Sequence, residues 1–269
     1  MEKNIKTEHR KEIFSKKIPT RLCKELPSDD NPYLAKSIRY HGYELNDILE
    51  NCNFVETFFL LFYGEFPDKN QSEILEKLMI GLINPGPRHP ATRAAMYSSV
   101  SKTNPGNVLP IGLSIMSGSH GGAGDVESSM RFIRKNMRQS PQETANRLSE
   151  LLPENSKEDL VIAPGFGQLY QSADPITSSI SKMILALEGA GEALRWANEF
   201  AVVIQPYNMG WLKSGLAAAV FCDLGFQPKA GVGLYQLLTA PGILAHGLEV
   251  ANKKLNSMPF PGDENYVFE

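Results

Sequence analysis

The stretch GSHGGAGDVESSMRFIRKNM, residues 118–137, runs from a glycine-rich loop into an apolar repeat. Val126, Met130, Ile133 and Met137 recur at three- and four-residue spacing, which predicts a helix behind the glycines. His120 then stands just before a helix N-terminus, where free N–H groups and the helix dipole favour negative charge. A ligand carbonyl oxygen that becomes an enolate gains from both, and a neutral imidazole donating a hydrogen bond there acts as an electrophile. On these residues alone the plainer reading leads: the glycines begin a helix and His120 is an ordinary polar neighbour.

Outward from this stretch, the segments between Gly and Pro read as helices. NFVETFFLLFYG (53–64) pairs Asn53 with Glu56 in a capping-box pattern, and Gly64 and Pro67 end it. NQSEILEKLMIGLI (70–83) offers the same pattern with Asn70 and Glu73. SPQETANRLSELL (140–152) has Ser140 at the cap and Pro141 in the first turn, and DPITSSISKMILALEG (174–189) opens likewise on Asp174 and Pro175. Residues 208–225 and 240–255 read as buried helices dense in small residues. Each internal glycine costs ~1 kcal/mol relative to Ala, so close packing is expected to require them. Strand signals are scarce, and LVIA (160–163) is the one stretch that suggests a strand. The expected fold class is all-α.

Composition narrows the function classes. The 269 residues carry a formal net charge of −3, which gives no general attraction to nucleic acid or an anionic membrane. The first 17 residues mix six Lys/Arg with three Glu and lack the apolar stretch of a signal peptide. No segment approaches the ~18 consecutive apolar residues that span a bilayer. Cys23, Cys52 and Cys222 are far apart and odd in number, which argues against a disulfide framework and for a reducing compartment. A cytoplasmic protein is expected. The five histidines and the carboxylates show no metal-ligand spacing.

Four segments, in order, resemble the citrate synthase superfamily, which includes the citryl-CoA lyases. RYHGYELNDILENCNFVETFFLLFYGEFP (39–67) is similar to its opening segment, and SHGGAGDVESSM (119–130) to its His-Gly-Gly-Ala loop. PGFGQLYQSADP (164–175) resembles its Gly-Phe-Gly-His segment followed by Asp-Pro-Arg. GLAAAVFCDLGFQP (215–228) and APGILAHGLE (240–249) resemble its closing helices. The resemblance covers roughly residues 38–269. It implies an all-α protein with an N-terminal arm over 1–37, a large helical domain over 38–124 and 206–269, and a smaller inserted helical domain over 125–205. It also implies a homodimer, with helices such as 91–118 at the interface, acting on acyl-CoA and a keto-acid. Coenzyme A thioester would be substrate, with no tightly bound cofactor. His120 matches the enol-stabilising histidine, and Pro164, Gly165, Phe166 and Gly167 match the turn that lies along CoA.

Other positions depart from the family pattern. Gln168 stands at the second histidine, Gly210 at the aspartate base, and Ile176, Thr239, Phe260 and Gly262 at arginines. Pro85 replaces the histidine of the loop that reads NPGPRHP (84–90). Arginine is the usual fork for a carboxylate, so affinity for a polycarboxylate such as citrate is expected to be lost. Candidate substitutes are Asp125, His89 and Gln168 for the chemistry, with Arg88 and Asn208 for substrate binding. Each has a structural alternative: acids are common in a first helical turn, Asn208 suits a cap, and His89 suits an ordinary loop position. Three functions compete: a divergent carbon–carbon lyase or acyltransferase using His120, a non-catalytic paralogue serving as a binding or regulatory module, and a CoA-ester hydrolase.

Overall fold

In a computed structural model, residues 14–15, 17–153 and 159–268 are described, and they divide into two compact units, Met1–Phe66 and Pro67–Glu269. The architecture is mostly helical, with two small three-stranded sheets.

In the first unit, β1 (Cys23–Pro27), β2 (Ala35–Tyr40) and β3 (Tyr43–Glu44) form an antiparallel sheet in that order. His41 and Gly42 both take positive φ (48° and 99°) to make the tight β2–β3 turn, as a two-residue hairpin loop requires. Helices α1 (Leu45–Asn51) and α2 (Phe54–Tyr63) follow. The Asn53–Glu56 capping box is present at α2, and Gly64 closes it in the left-handed region at φ 97°. This unit corrects the expectation of scarce strands. Of the arm read over 1–37, residues 1–13 and 16 lie outside the described residues, and Cys23–Pro27 is a paired strand.

The second unit opens with α3 (Lys69–Leu82). Its cap is Asp68 with Gln71, not Asn70 with Glu73. Both pairs fit the pattern, and the first available one after Pro67 starts the helix. Helices α4 (Pro90–Val100), α5 (Pro105–Met116) and α6 (Gly124–Asn136) pack with α10 (Lys213–Asp223) and α11 (Pro228–Glu249). The segment 240–255 is thus no separate helix: α11 continues through Pro241 to Glu249. Its internal glycines permit close approach, since a Cβ on Gly247 would lie 2.5 Å from Cγ1 of Val108 on α5.

Between these helices in sequence lie α7 (Pro141–Ser149), β4 (Val161–Ala163), β5 (Phe166–Gly167), α8 (Pro175–Leu185), α9 (Glu192–Val203) and β6 (Gly210–Trp211). The strand expected at 160–163 is β4, joined by β5 and β6 in an antiparallel sheet. Residues 210–211, expected inside a helix, are its edge, and the helix starts only at Lys213. The rings of Phe132, Phe166, Trp196, Phe200 and Trp211 pack together, with Phe166 and Phe200 edge-on at 4.9 Å.

Helix α9 has no side-chain cap of its own. Instead Asp223, at the end of α10, accepts hydrogen bonds from the backbone N–H of Gly191, Ala193 and Leu194 at 2.8–3.1 Å. Burial pushes the Asp223 carboxyl up, and those three donors oppose the shift. Asp223→Ala leaves three donors at a helix N-terminus without their acceptor, so it is expected to cost about 2 kcal/mol, read as a lower urea midpoint at unchanged m. Burial also pushes the Cys222 thiol up to about 11, so it stays protonated and unreactive at neutral pH.

Candidate active site

The loop between α5 and α6 carries His120. Its backbone is fixed from several sides: Ala123 N–H donates to the Met116 carbonyl at 2.6 Å and Gly124 N–H to the Gly118 carbonyl at 3.1 Å. The Gly122 position admits no side chain, since a Cβ there would lie 2.5 Å from the Met116 carbonyl oxygen. The His120 imidazole is exposed and makes no hydrogen bond among the described residues. Helix α6 starts at Gly124 without a side-chain cap, so its first N–H groups remain unsatisfied by the chain's own side chains.

His89 secures this loop from the other side. Its Nε2 lies 2.9 Å from the Gly121 carbonyl and its Nδ1 accepts from Ala91 N–H at 3.2 Å, which caps α4. The two contacts select the neutral tautomer with the proton on Nε2. Burial lowers its pKa, the Gly121 bond opposes this, and the charge of Lys213 on α10 lowers it further. The unfolded chain therefore binds more protons than the folded one just below the ordinary value of 6.5. The contribution of His89 is fully present above that pH and is lost as pH falls toward the lowered folded value. Urea unfolding at pH 7.5 and 5.5 is expected to show lower stability at 5.5, with a smaller drop for His89→Asn, which keeps a capping acceptor.

Asp125 joins three elements. Its Oδ2 accepts from Gly165 N–H at 2.9 Å and from Ser214 Oγ at 2.8 Å, and Ser128 Oγ reaches Oδ1 at 3.2 Å. Gly165 forms the β4–β5 turn at φ 81°, and a Cβ there would lie 2.5 Å from Cα of Gly215 on α10. The turn Pro164–Gly167 therefore sits against the start of α10. Gly165, Phe166 and Gly167 are buried, with the Phe166 ring in the aromatic cluster, and Pro164 is half-buried. Glu127, the other acid in the first turn of α6, pairs with Arg131 at 2.6 Å.

Gln168 accepts at Oε1 from Leu160 N–H at 3.1 Å and donates to the Tyr207 carbonyl at 3.4 Å. Asn208 takes the left-handed conformation (φ 59°) and donates to the Gln171 carbonyl at 2.8 Å. Gly210 is buried, and a Cβ added to it would lie 3.2 Å from Cβ of Ala173. A side chain here, where the resemblance expects an aspartate, would press on Ala173. Arg88 is exposed beside a cleft of about 580 Å³ that also has Arg93 and Tyr170 on its wall. Among the described residues no group of three or more His, Cys, Asp or Glu is placed to hold a metal ion.

The structure thus joins His89 to the His120 loop and Asp125 to the Pro164–Gly167 turn, while Gln168 and Asn208 brace a neighbouring pair of loops. The sequence reading missed Lys213, Ser214, Arg93 and Tyr170. Each is brought in by tertiary contact, and no local spacing ties it to His120.

The sequence model of the family described as citrate synthase, C-terminal domain, matches residues 28–135. A 37-residue segment is 46% identical to 2-methylcitrate synthase 2 of Corynebacterium glutamicum, covering 14% of this chain and 10% of that protein. The structure of citryl-CoA lyase from Hydrogenobacter thermophilus is similar at a TM-score of 0.74 and 23% identity, with 94% of each chain covered. Methanosaeta concilii ATP citrate lyase in complex with (3S)-citryl-CoA is similar at a TM-score of 0.67 and 16% identity. That match covers 92% of this chain and 43% of the other, so this chain spans less than half of that lyase. The chain shares its fold with the citryl-CoA lyase structure, and its residues 28–135 match the sequence model of the citrate synthase C-terminal domain.

Proposed function

We propose that the chain binds an acyl-CoA-type thioester and makes or cleaves a carbon–carbon bond through an enol(ate) held by His120. One observation carries this reading: an exposed imidazole without a hydrogen bond among the described residues stands on a loop whose backbone is pinned by His89 and by its own turns. A free donor on a fixed backbone is pre-organised for charge that develops on a ligand oxygen. The (3S)-citryl-CoA bound by the similar ATP citrate lyase supports the thioester class. The same reading makes the working species a cytoplasmic homodimer, expected in sedimentation equilibrium at twice the 29.8 kDa chain mass.

A second reading, a non-catalytic binding module, is favoured by the buried Gly210 and by the Gln168 amide already engaged on backbone groups. Isothermal titration with CoA and acetyl-CoA tests the first claim, binding; saturable heat with acetyl-CoA is expected. Absence of binding at about 1 mM ligand, an affinity weaker than about −4 kcal/mol, overturns the thioester reading. Binding without exchange of the thioester α-protons supports the module.

A further inference from the structure

Helix α11 grips the segment that leads from α3 to α4. Gly242 N–H donates to the Ile83 carbonyl at 3.0 Å, an approach that needs a glycine, since a Cβ there would lie 2.5 Å from that oxygen. One turn on, Nε2 of His246 lies 3.2 Å from Oδ1 of Asn84. Gly86 N–H donates to the same Oδ1 at 2.9 Å. Oδ1 is thus an acceptor twice over, so the imidazole is the donor and carries a proton on Nε2. Nδ1 of His246 faces Glu249 at 3.6 Å, so the Nε2 donor is kept whether or not the ring takes a second proton.

The segment itself is poor in tethers. Pro85, Pro87 and Pro90 have no N–H to donate. Among the described residues, the hydrogen bonds that tie residues 84–89 to distant elements are that of Asn84 to His246 and that of His89 to Gly121. Between these two the bracing is local: Gly86 N–H on Asn84, and His89 N–H on the Gly86 carbonyl at 3.2 Å. A continuous set of bonds therefore runs from His246 through Asn84, Gly86 and His89 to the carbonyl of Gly121, the residue after His120. Helix α11 also holds α5 just before the His120 loop. Gln236 Nε2 donates to the Leu113 carbonyl at 2.8 Å, and a Cβ on Gly112 would lie 2.4 Å from Cγ2 of Ile243. The two segments that meet at Gly121 are thus both referenced to one helix.

We propose that His246 is a positioning residue for His120: its bond to Asn84 sets the 84–89 segment and, through His89, the Gly121 carbonyl and the imidazole beside it. His246 acts through these groups and touches no reacting atom. The effect falls on placement rather than stability, because Asn84 is exposed and a misplacement of about 1 Å at a reacting centre costs on the order of 100-fold in rate. The effect on rate rests on the thioester chemistry proposed above; the tether does not. The test uses the whole chain with its histidines labelled at 13Cε1. In His246→Ala, and in Asn84→Ala, which breaks the same contact from its exposed end, the His89 and His120 ring signals are expected to move while the melting temperature stays within about 2 °C. Exchange of α-protons at saturating acetyl-CoA is expected to fall about 10-fold, with affinity for acetyl-CoA held within about 2-fold. His246→Gln keeps an N–H donor and should return both ring signals and bring the exchange rate to within about 2-fold of the unsubstituted chain. Ring signals unmoved in both alanine variants, or a Gln variant as impaired as Ala, overturns the proposal. Ring signals that move and are rescued in a chain that never exchanges α-protons uphold the tether and strike the thioester reading instead.

Discussion

His120→Ala is expected to lower protein-dependent exchange of acetyl-CoA α-protons into deuterated water by about 100-fold or more, with the melting temperature unchanged. The magnitude is that of removing a positioned general acid–base or electrophilic group. The unchanged stability follows from exposure: the imidazole is exposed and makes no hydrogen bond among the described residues, and surface substitutions of this kind stay within about 0.5 kcal/mol. Proton NMR of acetyl-CoA in deuterated buffer reads the exchange directly. A His120→Ala chain that exchanges at the unsubstituted rate removes the histidine from the chemistry. His120→Gln keeps a donor without the imidazole, and an intermediate rate is expected from it.

Asp125→Ala should have the largest effect on stability, about 3 kcal/mol, lowering the melting temperature by roughly 8 °C. It removes the acceptor of the Gly165 N–H and of the Ser214 hydroxyl, both in a packed junction between the β4–β5 turn and α10. Asp125→Asn keeps one oxygen to accept these bonds and is expected to recover more than half of the loss. That ordering separates two roles for an acid that the sequence offers as a replacement base. If Asp125 positions the turn, Asn rescues stability and the exchange activity follows the folded fraction. If Asp125 removes the proton, Asn is stable and inactive. The bonding of Oδ2 favours the first outcome.

The helices were legible where the signal is local. Asn53 with Glu56, Ser140 with Pro141 and Asp174 with Pro175 all start helices in the structure, because a cap and the first-turn residues settle a helix start between neighbours. The errors arose where local signals compete or where pairing is distant. Asp68 and Asn70 both head a capping pattern, and only the path of the chain from Pro67 selects the first. Gly210 and Trp211 read as helical by their neighbours, yet pair with Gly167 and Phe166, more than forty residues earlier. Pro241 reads as a helix start, but in the structure it lies within α11.

For the site, the sequence located the loop that bears His120 and the turn at 164–167, because glycine patterns report backbone positions where a Cβ cannot fit. The partners of each side chain were not legible. His89 reads as a loop residue, and its bonds to Gly121 and Ala91 depend on how α4 and the 117–123 loop meet. Ser214 and Lys213 follow Trp211 without any motif, and reach the site only because α10 packs on α6. Arg93 is one helical turn beyond His89, with no partner in sequence to mark it.

A crystal structure with a non-hydrolysable acetyl-CoA analogue tests the central claim most directly. The account predicts the analogue's carbonyl oxygen at about 2.6–3.2 Å from an imidazole nitrogen of His120, with the Gly121 carbonyl still held by His89. An analogue bound elsewhere, or one that leaves His120 without a ligand contact, would contradict it.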